Sequence, residues 1–256
     1  GVDRKRFLSH VKTNPSTYKD WGVETSGKED NMFSPYLNAP FQLAKKAGEI
    51  PGDVAIAGTW SRISEQGDAT YLNIVYILGH DATDVHDLTR GEIEGRRQAM
   101  WAANALKKYT PGFEKASLRS FGSSLGIRES RKIIGRYNLT ENDVRNQGRF
   151  DDAIGMFPEF LDGYGIVILP TTGRYFQVPY GIMVPQKVEN LLVAGRCVAG
   201  DRISHSATRQ MMCCTVTGQA AGVAAALSIK DKNCCSQVNI ASLQKALSKQ
   251  GVRIKV

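Results

Sequence analysis

The stretch NLLVAGRCVAGDRISHSATRQMMCCTVTGQAAGVAAAL, Asn190 to Leu227, constrains this chain more than any other. Leu191 to Ala194 is a continuous apolar run that leads through Gly195 into a polar loop and then a helical segment. A run with no polar alternation reads as a strand of a parallel sheet buried on both faces. Such a sheet needs several strand–helix crossovers, and the 256 residues show no second good one. The helix after the loop places Gly218, Gly222 and Ala226 four apart, flanked by Ala221 and Ala225. Residues at that spacing share a face, so one side is nearly bare backbone and admits a close partner. The pattern predicts that this partner lies outside the 256 residues and that the chain is the C-terminal part of a larger fold. Gly1 in place of Met points to processing or to a start inside a longer chain.

Upstream, DVAIAGTW (Asp53 to Trp60) and TYLNIVYILG (Thr70 to Gly79) are β-rich runs around a polar, Gly-containing turn, as in a hairpin. Thr89-x-x-Glu92 reads as a capping box opening a helix that runs to about Tyr109, where Thr110-Pro111-Gly112 stops it. KASLRSF and SRKIIGRYNL read as strands, and Thr140 as the cap of a short helix, which gives the sequon Asn138-Leu-Thr140 a structural explanation. YGIVILP, YFQVPYGIMVP and NLLVAG form a third group of strands. Residues near 241 to 250 read as an amphipathic helix with Gly251 as its stop. TSGKEDN, Thr25 to Asn31, reads as flexible.

Charge bears on partners. The net charge is +8, from 33 Lys plus Arg against 25 Asp plus Glu, but the basic residues are dispersed. No basic run is interleaved with aromatics as a nucleic-acid surface requires, so an anionic small ligand or cofactor is expected in place of nucleic acid. No window holds the roughly 18 uninterrupted apolar residues of a membrane helix, and the charged GVDRKRFLSH start lacks an apolar signal core; the compartment stays open. Five cysteines include no C-x-x-C, and the adjacent pairs Cys213-Cys214 and Cys234-Cys235 bridge poorly, so free thiols are expected. GHDATDVHD, Gly79 to Asp87, has enough His and Asp for a metal in principle. A helix cap at Asp87 or Thr89 accounts for that composition equally, and no metal is expected.

The loop carries the chemistry. A helix N-terminus bears about half a positive charge and unpaired N–H donors, so it favours anions. That terminus is expected near Ser206 to Gln210, surrounded by Arg196, Arg202, His205 and Arg209. A phosphate, a carboxylate or a reduced flavin would suit it; a surface loop capped by Ser204 or Ser206 explains the same residues. Arg128 and Arg131 could clamp an anion, or pair structurally with Glu129 between them.

LGIRESRKIIGRYNLTENDV, RFDDAIG, YFQVPYGIMVPQKVENLLVAGRCVA and GQAAGVAAAL follow in that order between Leu125 and Leu227. In this order they resemble the C-terminal half of FAD-dependent oxidoreductases that carry an N-terminal Rossmann FAD domain. The resemblance implies an α/β fold, α+β within this chain: a β-rich substrate domain over 1–175, then a return over 176–256 into a Rossmann-like FAD domain whose N-terminal part is missing. It implies FAD as cofactor, with Gly195, Arg196 and Asp201 toward the ribityl chain and pyrophosphate, and N–H groups at Gln210 and Met211 toward the flavin pyrimidine edge. There they would stabilise the anion formed on reduction. Gln177 and Tyr180 become candidates to approach the flavin ring. For Tyr180, proton transfer and core packing stand side by side.

His205-Ser-Ala-Thr-Arg209 is similar to the H-G-x-N-R of the more distant fumarate reductase and succinate dehydrogenase flavoproteins. That similarity gives Arg209 a substrate carboxylate and His205 an active-site position, although a backbone-bonded loop histidine explains His205 too. The L-G-G-N that should follow is missing, and so is any G-x-G-x-x-G dinucleotide fingerprint; Gly163-Tyr-Gly165 runs into Ile-Val-Ile. The expected function is hydride transfer between FAD and a small organic substrate, anions included, with a complementary N-terminal chain supplying the rest of the FAD site. The alternative is a non-catalytic binding, pigment or storage protein derived from such a flavoprotein.

Overall fold

An aspartate decides where the longest helix begins. In the computed structural model, which describes residues 1–14, 35–60, 62–70, 72–163, 166–168, 170 and 173–255, Asp84 accepts a hydrogen bond from the His86 N–H at 2.7 Å. The helix therefore starts at Val85, a turn before the expected capping box. Thr89 is interior to it, its hydroxyl donating to the Val85 carbonyl, and Glu92 pairs with Arg96 at 2.8 Å. Asp is at least as good a cap as Thr, and Asp84 stands five residues before Thr89.

The chain divides into two compact units, Gly1–Ile127 and Arg128–Val256. The first contains α1 (Arg4–Thr13), α2 (Pro35–Lys46) and α3 (Val85–Tyr109). Strand β1 (Ile56–Thr59) pairs antiparallel with β4 (Asn73–Val75), and between them β2 (Arg62–Ile63) pairs with β3 (Ala69–Thr70). The expected hairpin is present, with a smaller one at its tip. Phe7, Phe41, Ile50, Ile56, Leu106 and Phe113 lie in its core, Phe7 edge-on to both Trp60 and Phe113. Gly112 closes α3 at φ +94°, where a side chain is strained and a Cβ would meet the Asp3 carbonyl oxygen at 2.7 Å.

The second unit contains α4 (Glu141–Arg145), α5 (Arg202–Thr208), α6 (Met211–Asp231) and α7 (Ile240–Lys249). Strand β5 (Ala153–Pro158) pairs antiparallel with β8 (Tyr175–Pro179), and β6 (Leu161–Gly163) with β7 (Ile166–Ile168). Thr140 caps α4 with a reciprocal box through Asp143, and Gly251 adopts φ +87° just past α7, both as expected. Because Pro158 stands opposite Tyr175, the boundary at 175/176 falls inside one hydrogen-bonded strand pair. Thr25–Asn31 and Tyr164, Gly165 and Leu169 lie outside the described residues.

Three expected strands do not form ladders. KASLRSF is irregular, and SRKIIGRYNL forms single bridges, Gly135 to Pro185 and Leu139 to Gly200, with scattered backbone bonds such as those from the Arg136 N–H to the Val184 carbonyl and from the Gln186 N–H to the Ile134 carbonyl. Leu191 to Ala194 is likewise outside any ladder, with the Val193 N–H donating to the Met183 carbonyl. Apolar side chains alone do not make a strand; a neighbouring backbone must accept and donate. The result is a mixed α/β chain of helices and small antiparallel sheets, and the buried parallel sheet is not among the described residues.

Candidate functional site

The loop from Gly195 to Gln210 is positioned by α5 and α6. The expected helix begins at Met211 with Gln210 as its N-cap, within the expected range, and the polar loop before it is itself helical over α5, Gln210 taking extended ψ (141°) between the two. Asp201 caps α5, one carboxylate oxygen accepting from the Ser204 N–H at 2.7 Å and the other from the Glu141 N–H at 2.6 Å. One side chain thus anchors α5 and α4 together. Asp201, expected near the cofactor, has both oxygens committed to this task. Asp201→Ala should lower the unfolding free energy by about 2 kcal/mol, the sum of two lost caps, measured by urea denaturation. A change below a few tenths of a kcal/mol would show that the caps are replaceable by water.

The buried face of α6 is Cys213, Thr217, Ala220, Ala224 and Ser228, packed on β5 and α7. Burial pushes the Cys213 thiol well above its ordinary range, so it is inert as a nucleophile. The opposite face, Met211, Thr215, Gly218, Gly222, Ala226 and Ile229, is exposed. A Cβ added at Gly218 or Gly222 would meet nothing within 4 Å. By length and composition this helix could cross a membrane, which a search for uninterrupted apolar runs did not signal. In this unit it packs one side as a core helix does. Its amino end has no side-chain cap from Gln210, whose amide donates instead to the Ser206 carbonyl. Met211 is 84% exposed there.

Gly195 has φ +76° and donates its N–H to Thr217 Oγ1 at 3.0 Å. The left-handed backbone and a Cβ position touched only by Cys214 Sγ, at 4.0 Å, leave the loop open to close approach. Arg196 beside it is exposed.

His205 and Arg209 come together with residues that were not singled out. His205 is 1% exposed. Its Nε2 lies 3.4 Å from the Arg128 carbonyl oxygen and 3.7 Å from Glu129 Oε2, and Glu129 is also 3.6 Å from Lys132 Nζ. Burial above all, then Lys132, lowers the pKa of His205, so it is neutral at pH 7. Arg209 donates to the carbonyl oxygen of Asp162 on β6, whose carboxylate stands 3.9 Å away. Arg128 reaches this cluster through its backbone, while its side chain and that of Arg131 are exposed. Glu129 and Lys132 stand three apart, a spacing that could have signalled their pairing. Nothing local connects Asp162 with Arg209, 47 residues on.

Gln177 and Tyr180 are elsewhere. Gln177 is buried, accepting from the Phe150 N–H and donating to the Ile254 carbonyl. The Tyr180 hydroxyl donates to the Cys235 carbonyl at 2.7 Å within the core, and burial raises its pKa well above the ordinary value. Of the two roles open to Tyr180, packing is the one these contacts describe. Asp84 caps the start of α3 and Asp87 accepts from the Asp81 N–H, the His80 ring faces the Leu78 carbonyl at 3.0 Å, and no group of three or more metal-ligating side chains occurs among the described residues.

Features on this loop fit the flavin end of an FAD: an uncapped helix N-terminus, an approachable left-handed glycine and an exposed arginine. The chain holds no glycine fingerprint for the pyrophosphate and adenosine. No curated protein and no solved structure matches the chain. A family model matches residues 7–247, well beyond the segment Leu125 to Leu227 on which the resemblance rested, and by that match the chain belongs to the FAD dependent oxidoreductase family.

Proposed function

We propose that this chain forms the substrate side and C-terminal part of an oxidoreductase that moves a hydride between a small organic anion and FAD. The reading is carried by one observation: the amino end of α6 is uncapped and exposed, beside a helix face of open glycines. When bound, FAD supplies the redox chemistry, and the protein supplies position and charge stabilisation. The Met211 N–H would hold the pyrimidine edge, where positive helix-end potential favours the reduced, anionic form; the Gln210 N–H is already given to the Ala207 carbonyl at 3.1 Å. Gly195 and Arg196 would face the ribityl and phosphate portion. Arg209 would hold the substrate carboxylate, supported by the likeness of His205-Ser-Ala-Thr-Arg209 to H-G-x-N-R, with His205 adjacent. A complementary N-terminal FAD-domain chain would cover the glycine face and bring the missing fingerprint.

The test is to combine the chain with such an FAD domain, record flavin absorbance, and then titrate small carboxylic and non-carboxylic substrates. Bleaching by an anionic substrate is expected. Arg209→Met should reduce kcat/KM for that substrate roughly a hundredfold, the loss of a charge-assisted hydrogen bond, with flavin absorbance retained. A preparation that stays colourless with the complementary domain present would favour the non-catalytic alternative.

A further inference from the structure

The imidazole of His205 is buried, yet its two nitrogens differ sharply in surroundings. Nδ1 has no hydrogen-bond partner among the described residues. Nε2 faces two oxygens, the Arg128 carbonyl at 3.4 Å and Glu129 Oε2 at 3.7 Å. Neither oxygen has a proton to give when Glu129 is ionised. A neutral imidazole has one N–H and one lone pair. A proton on Nε2 is directed at both oxygens. A proton on Nδ1 would set the Nε2 lone pair against them and bury an unpaired N–H, two unfavourable terms at once.

We infer that Glu129 is a positioning residue: together with the Arg128 carbonyl it holds His205 in the Nε2–H tautomer, leaving the lone pair on the buried Nδ1. The tautomer stands on this geometry alone. Nδ1 is enclosed, so its use toward substrate requires the surrounding segment to open and rests on the proposed oxidoreductase reading. The charges around the ring are Glu129 and Lys132 from the segment after Arg128, and Arg209 from the end of α5, the last held against Asp162 of β6. Glu129 favours a charged ring, whereas Lys132 and Arg209 oppose it. Lys132 approaches the same carboxylate oxygen, Oε2, at 3.6 Å. The Glu129 side chain is 36% exposed, so its replacement leaves the core intact.

The test is a long-range 1H–15N spectrum of the full chain at pH 7.5, with the His205 signals identified by their loss in His205→Asn. A protonated Nε2 and an unprotonated Nδ1 are expected. Glu129→Ala should move the tautomer ratio toward Nδ1–H by about threefold or more, since the acceptor charge is gone, and Glu129→Asp should restore most of it. Glu129→Gln and Lys132→Met should shift the His205 titration in opposite directions, down and up, which a purely structural loss would not do. A protonated Nδ1 in the unmodified chain, or a ratio indifferent to Glu129→Ala, overturns the inference. Tautomer control by Glu129 in a chain that never binds flavin sustains it and sinks only the oxidoreductase reading.

Discussion

Phe176→Ala should destabilise the second unit by about 3–5 kcal/mol, the usual cost of removing a fully buried phenyl ring. Phe176 is 0% exposed on β8 and meets Phe157 of β5 edge-on, with ring centroids 6.1 Å apart. The two strands share five residue pairs, so the cavity would open between them, with Leu161 and Ile154 in the same cluster. Backbone hydrogen bonds pin both strands and limit collapse into the void, which keeps the cost high. Urea denaturation followed by far-ultraviolet circular dichroism measures the loss. All three tryptophans, Trp21, Trp60 and Trp101, lie in the first unit's span, so their fluorescence follows that unit separately. A loss below about 1 kcal/mol would mean that the cluster repacks freely.

Gly222→Leu should have the opposite character, harmless to the chain alone and severe for its assembly. A side chain there meets nothing within 4 Å, and Leu is a better helix former than Gly by roughly 0.8 kcal/mol. The isolated chain should therefore hold or slightly raise its melting temperature. If the exposed glycine face seats a complementary FAD domain, the added isobutyl group separates the two backbones. Flavin retention by the combined chains should then fall about a hundredfold, equivalent to about 2.7 kcal/mol. Undiminished retention would show that partner and flavin are held without this face. The same substitution at a packed position such as Ala220 would damage folding itself, since Ala220 is 0% exposed.

Much of the local structure was legible. Thr140 signalled a short helix because a capping box is written within four residues. Gly251 signalled the end of α7 because a left-handed stop favours glycine. The start of α3 was misread because Asp84, Asp87 and Thr89 are all chemically competent caps, and the choice among them depends on what precedes. The start of α6 after Gln210 fell in the expected range, but α5 went unread because its segment, Arg202–Thr208, reads as a polar loop. Of the residues singled out, His205 and Arg209 lie near one another, while Gln177 and Tyr180 belong to the core. Their partners, Ile254 and Cys235, stand 77 and 55 residues away along the chain.

By itself the sequence determined which helix would have a bare side, because a period near 3.6 residues is a local property of the backbone. It also determined that the chain has no glycine turn for a dinucleotide. Only the tertiary structure decided that no described residue covers this side, that Asp201 ties α4 to α5, and that Glu129 lies beside a buried His205. Those outcomes depend on side chains 60 to 77 residues apart being brought within a few ångströms. Such meetings are selected by the packing of the whole core, and no short window of residues encodes them.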